Sequence, residues 1–322
     1  MRYCFGLTTG NNAEIPQTAQ PNQAMRGKQM ALDNRFYQKE YFNLSTNFNV
    51  PQYLDFPIRY ENTRFRGKKY VINGNTSEVL GIVGDGFPSV PHGDFFRNIV
   101  NAIVENFGSE DTSEVIPKFS SAHNGAVALL DIAFPNISYR IHTNKHTTEI
   151  SQRAIAWHGI DGTKSNLSVF GAVDDFCTNG CITGTYEQLR KKNTSGFSLS
   201  NFVNEIKQSH NNFIEHAKYL QRMADTNFGA SQMANLKELL EPMGMSKRMA
   251  SSMHDLFLGE ASVRGANLWS LYSAMTNYSS HTDNGFKLKD MGNDTRATSM
   301  WDREQKVVKW TNSDAFKELL AA

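Results

Sequence analysis

The sequence predicts an α+β fold: an antiparallel, strand-rich domain with one packed helix, followed by a mostly helical C-terminal region. Three observations carry this expectation. From about Tyr53 short β-prone runs alternate with turn residues, a single apolar stripe at helical spacing interrupts them, and after Gly196 the apolar period becomes helical and stays so. The 322 residues then divide into an extended polar arm and aromatic segment (1–48), a strand-rich α+β domain (49–196) and a helical region (197–322).

The arm, NNAEIPQTAQPNQA, has almost no large apolar residues, so its burial cannot offset the entropy of ordering it. The segment after it carries Phe36, Tyr37, Tyr41, Phe42 and Phe48, too many rings to leave in water, and is expected to pack on the core or on a second copy of the chain. FPIRYEN, GKKYVING and EVLGIVGDG follow, separated by turn residues, and read as an antiparallel meander. In His92–Phe107 the residues Phe95, Phe96, Ile99, Val100, Ile103, Val104 and Phe107 recur at spacings of three and four, which makes a helix with one wide apolar face. Further strands are expected at Glu114–Ser121, Ala126–Phe134, Glu149–Trp157 and Leu167–Val173, with AHNG, FPN and HGIDGTKSN as turns. From Ser198, Leu199, Phe202, Val203, Ile206, His210, Phe213, Ile214, Ala217, Leu220 and Met223 trace one helical face over roughly seven turns. Shorter helices are expected at Ser231–Glu241, Ser246–Leu258, Gly265–Ser279 and Ser313–Ala321, with Pro242 and Gly244 as stops.

With 33 Lys+Arg against 32 Asp+Glu, any attraction to nucleic acid must come from a local patch. Three cysteines, Cys4, Cys177 and Cys181, make no disulfide framework and fit a reducing compartment. No apolar run approaches the ~18 residues of a membrane span, and MRYCFGLTTGNN lacks the basic-then-apolar pattern of a secretory signal; the expectation is a cytoplasmic protein without a membrane partner.

The stretch VDDFCTNGCITG raises the question of a reactive site. A zinc site needs about four ligands, commonly as two close pairs, and only one cysteine pair exists here. Dithiol catalysts place two residues between their cysteines, whereas Cys177 and Cys181 have three. Asn179-Gly180 instead signals a tight turn with positive φ, leaving the cysteines as small apolar residues. A metal-dependent nuclease using Asp161, Asp174 or Asp175 is a further alternative, but neighbours on a strand face opposite ways, so Asp174 and Asp175 are poor partners for one ion. GIVGDG lacks the ending of a phosphate-binding loop, and no nucleophile–base motif is present. No catalytic residue, metal or cofactor is expected.

The ribbon IRYENTRFRGKKY is different. Arg59, Arg64, Arg66, Lys68 and Lys69 interleave with Tyr60, Phe65 and Tyr70 in a stretch that reads as a hairpin, and Arg190-Lys191-Lys192 forms a second basic cluster. Cations that track phosphates beside rings that stack on bases are the ingredients of single-strand binding. The alternative is a solvated strand face with its rings turned into the core, and a spatial meeting of the two clusters favours the first reading.

HGIDGTKSNLSVFGAVDDFCTNGCITG, followed by LRKKNTSGF and a helix, resembles the phage/plasmid-like protein family, domain of unknown function 932. The similarity rests on Asp161-Gly162 and on Cys177, Asn179 and Gly180 in a Cys-x-Asn-Gly motif, with EVLGIVGDGF upstream and ANLWSLYSAMTNYSSH downstream, over roughly Tyr53 to His281. Asn193-Thr194 stands where the family often has His-Thr. The resemblance implies a bacteriophage context near replication and recombination functions, and no activity. The expectation is therefore a non-catalytic, phage-encoded protein that binds single-stranded DNA in the infected cell's cytoplasm and forms a homo-oligomer through its aromatic segment. The alternative is a structural or host-interaction protein assembling through residues 1–48.

Overall fold

A computed structural model describes residues 48–87, 90–107, 115–175, 179–181, 188–192, 198–209, 213–281 and 296–321. The polar arm, the rings of 36–42, Cys4 and Cys177 lie outside the described residues.

The first three strands, β1 (Ile58–Asn62), β2 (Lys68–Asn73) and β3 (Val79–Gly84), form the expected antiparallel meander as a separate three-stranded sheet in the order β1-β2-β3. Helix α1 (His92–Phe107) follows, and its large buried apolar residues, Phe95, Phe96, Ile99, Val100 and Ile103, belong to the stripe read from the sequence. Six strands then make the main sheet: β4 (Ile116–Ala122), β5 (Val127–His142), β6 (Thr147–Gly159), β7 (Asn166–Asp174), β8 (Asn179–Cys181) and β9 (Gln188–Lys191). Its order is β4-β5-β6-β7-β8, every pairing is antiparallel, and β9 also pairs with β7. This curled sheet with its helices is the α+β class that the sequence predicts.

The main sheet is covered on both faces. Consecutive residues of β6 show it: His158 stacks on Phe95 of α1, while Trp157, facing the other way, meets Trp301. Trp301 belongs to α8 (Arg296–Thr311), which comes after α2 (Leu199–Ser209), α3 (Phe213–Asp225), α4 (Ala230–Ala234), α5 (Leu236–Leu240), α6 (Lys247–Arg264) and α7 (Leu268–His281); α9 (Asp314–Ala321) closes the chain. The boundary at residue 196 is thus a change of secondary structure, and the helices after it complete the core of the strands before it.

Three expectations need correction. FPN is not a turn: β5 runs on to His142, and the interruption is a bulge between Phe134 and Ser138. The expected seven-turn run is described as two helices, α2 and α3, with residues 210–212 between them outside the described residues, and its apolar face serves two cores. Phe202 packs with α1 and the sheet, while Phe213, Ala217, Leu220 and Met223 pack with α6 and α7. Asn179-Gly180 does not make a positive-φ turn either. Both residues are in β8, paired with Asp174 and Val173, and Gly180 is absent from the left-handed residues among those described.

The reason for Gly180 lies across the sheet. A Cβ there would stand 2.1 Å from Nη1 of Arg153, whose guanidinium is buried and held by Asp131 through Nε–Oδ1 and Nη2–Oδ2 contacts of 2.7 Å and by Glu304 of α8 at 2.8 Å. Burial works against the Asp131 charge, but the Arg153 fork holds its carboxyl below the ordinary value; for Glu304, with a single contact, burial prevails and raises it. Gly180→Ala should cost about 1 to 3 kcal/mol by forcing this guanidinium aside, read as a lower urea midpoint. An unchanged midpoint would remove this explanation of the glycine.

Candidate nucleic-acid interface

Alternation along β1 and β2 sorts the basic ribbon into two faces. Tyr60, Lys69, Val71 and Val83 are in register on the inner face, where Val71 and Val83 form a small core with Phe56, Ala126 and Ile160. Lys69 is consequently occupied: Nζ donates to the Phe87 carbonyl at 3.0 Å and stands 4.2 Å from the Tyr60 ring centre. It leaves the candidate set because strand parity turns it inward.

Two cross-strand rows share the other face, Arg59–Ile72–Val79 and Glu61–Tyr70–Ile82, with Ile72 buried and Tyr70 half-buried among exposed neighbours. Val79 and Ile82 are each 52% exposed there, an unusual state for large aliphatic side chains on a sheet. Arg59 is paired with Glu61 at 3.3 Å on the same face. At the hairpin tip, Thr63 ties the turn by accepting the Phe65 amide on its hydroxyl, and Gly67 supplies the positive φ of 76°. This geometry leaves Phe65 57% exposed, with the Arg64 guanidinium 5.1 Å from its ring centre. Arg64, Arg66 and Lys68 are exposed and make no ion pair among the described residues. From Asn62 to Ser77 the chain contains four cations, of which Arg64, Arg66 and Lys68 face solvent, and no carboxylate; the acidic residue close by in space is Asp85, whose amide donates to the Gly67 carbonyl at 3.2 Å.

The second cluster does not act as one patch. In β9 Arg190 lies in the row Trp157–Leu167–Arg190, whereas Lys191 faces the other way and is bound to Glu205 of α2 at 3.0 Å. Arg190 and Lys192 are exposed. Arg190–Lys192 nevertheless lies at the end of the main sheet on which the small sheet packs. Lys191 pairs with Asn166, directly after the turn that joins β6 to β7, and that turn packs on the small sheet: Gly81 approaches Asp161, and Gly162 lies against Val83 and Phe87.

The remaining motif residues serve the fold. Asp161 accepts the Thr163 amide at 2.9 Å and the His123 ring at 3.2 Å, and Gly162, at φ 79°, makes the turn. Cys181 is fully buried, and burial pushes its thiol far above the ordinary range, so it has no reactive thiolate. Asp174 is held by Arg264 and Thr148, and Asp175 accepts from Ser151. Among the described residues no group of three or more His, Cys, Asp or Glu side chains is arranged to hold a metal ion. No helix among them is long and apolar enough to cross a membrane.

The chain matches no family model, and no curated protein or solved structure matches it.

Sequence reasoning missed Glu61, Val79 and Ile82 as members of the outer face. The signal was present in the period-two alternation of β1 and β3, but it needs the register to say which side is solvent.

Proposed function

We propose that this chain is a non-catalytic protein that binds single-stranded nucleic acid through the β1–β2 hairpin. The observation that carries the reading is the tip: an exposed phenylalanine ring between Arg64 and Arg66, with Lys68 beside it and no carboxylate in the same run of sequence. Within the protein the exposed ring gains only its contact with the Arg64 guanidinium, whereas stacked on a base it contributes about 1 to 3 kcal/mol. The flanking cations contact phosphates, and Arg190 and Lys192 extend the same track. Unpaired bases fit this arrangement because a duplex hides the faces that Phe65 needs. The phage setting, DNA replication or recombination, rests on the resemblance of Asp161-Gly162 and the Cys177–Gly180 motif.

A nuclease reading fits less well. Asp161, Asp174 and Asp175 already accept hydrogen bonds from neighbouring side chains, and Asp174 is neutralised by a buried arginine.

Fluorescence anisotropy of a labelled single-stranded oligonucleotide tests the proposal. The wild-type chain should bind at low salt, and the combined change Arg64→Glu, Arg66→Glu and Lys68→Glu should weaken binding by roughly a hundredfold with the melting temperature unchanged. Equal affinity of the two proteins, or no binding by the wild type, would overturn it.

A further inference from the structure

The outer face of the small sheet carries a carboxylate where a phosphate-binding surface has no use for one. Glu61 stands directly across from Tyr70, which stands directly across from Ile82, and strand partners are about 5 Å apart. Tyr70, half-buried, and Ile82, exposed, form an apolar pair against which one base can lie. The edge of a base on that pair then comes within reach of Glu61. Arg59 contacts the Glu61 carboxylate at 3.3 Å and keeps it over the sheet, and no hydrogen bond among the described residues engages it otherwise.

We infer that Glu61 reads the base lying on Tyr70 and Ile82 and selects guanine. This rests on the single-strand reading above. A carboxylate only accepts hydrogen bonds, and it has two oxygens side by side. Guanine presents two adjacent donors on its pairing edge, N1–H and the N2 amino group, which match those oxygens. Thymine and uracil present two carbonyl acceptors around a single N–H and are repelled. Adenine and cytosine offer one amino donor beside an acceptor nitrogen and fall between. The hairpin cations supply affinity for any strand, while Glu61 supplies a difference between strands.

The test compares the full chain on two labelled twelve-nucleotide DNA strands, one of thymidine alone and one with guanines at every third position. The wild type should prefer the guanine-bearing strand by roughly tenfold, and Glu61→Ala should bring the ratio close to one while binding to the thymidine strand persists or rises, since Arg59 is released. Equal wild-type affinities, or a preference that survives Glu61→Ala, would overturn the assignment of Glu61 and leave single-strand binding standing. Failure of the wild type to bind either strand would overturn both.

Discussion

Replacing Arg264 by methionine should lower the unfolding free energy by about 3 to 5 kcal/mol and the melting temperature by on the order of 10 °C. Arg264 is wholly buried at the end of α6, where its guanidinium donates to Asp174 at 2.5 Å, stands 3.3 Å from Glu260 and lies 5.7 Å from the Trp269 ring centre. Asp174, 1% exposed, also accepts a hydrogen bond from Thr148 at 2.6 Å. Without the cation, Asp174 and Glu260 remain as two buried carboxylates in one place, and that uncompensated charge accounts for the size of the effect. Adding Asp174→Asn to Arg264→Met should recover part of the loss, because it removes one of the stranded charges. A single variant within about 1 kcal/mol of the wild type would show that the pair does not join α6 to β7 energetically.

The second large effect is the loss of stability that the buried histidines contribute between about pH 6.5 and 4. His92 donates Nε2–H to the Gly125 carbonyl at 2.8 Å, which leaves its Nδ1 to accept from Nδ1–H of His158 at 2.9 Å. Burial inside a box made by Phe56, Phe95 and Phe96 favours this neutral arrangement of the two rings. Burial lowers the His92 pKa to about 4 against the pull of the Gly125 carbonyl and Asp161, and burial together with His92 keeps His158 well below the ordinary value. His216, on α3 in the other core, is lowered by burial to about 3. The unfolded chain takes up these protons as the pH falls through about 6.5, and the folded chain refuses them until far lower, so stability is full above that value and drains away below it. By pH 4.5 each of His92 and His216 withdraws about 2 to 3 kcal/mol, a large share of a typical 5 to 15 kcal/mol. Asp175, whose carboxyl burial pushes up to about 7, and Glu260 and Glu304, whose carboxyls burial also raises, act in the opposite sense over the same window. His216→Leu isolates the histidine contribution: the difference in urea stability between pH 7 and 4.5 should shrink by about 2 to 3 kcal/mol. An unchanged difference would mean that His216 is hydrated or already charged in the folded state.

Local periodicity made much of the fold legible. The stripe in His92–Phe107 specified α1, and the alternation of β-prone runs with turn residues specified the meander and the main strands. What was not legible depends on partners far away in sequence. Gly180 looked like a turn residue, yet it is small because Arg153 passes beside it. Arg153, Asp131 and Glu304 are spread over more than 170 residues, and in sequence nothing distinguishes them from solvated charges. The same holds for His92 and His158. At the candidate site the composition of the ribbon is visible in the sequence, but its parity is not: Lys69 turns inward, and Lys191 is bound to Glu205.

The claim that the hairpin tip meets phosphates is tested most directly by salt. Each phosphate contact on a single strand contributes about 0.7 to the slope of log affinity against log salt. Neutralising Arg64, Arg66 and Lys68 together to alanine should therefore flatten the slope by about 2 relative to the wild type. Parallel lines for the two proteins, whatever their affinities, would place the phosphates elsewhere and contradict the assignment of the tip.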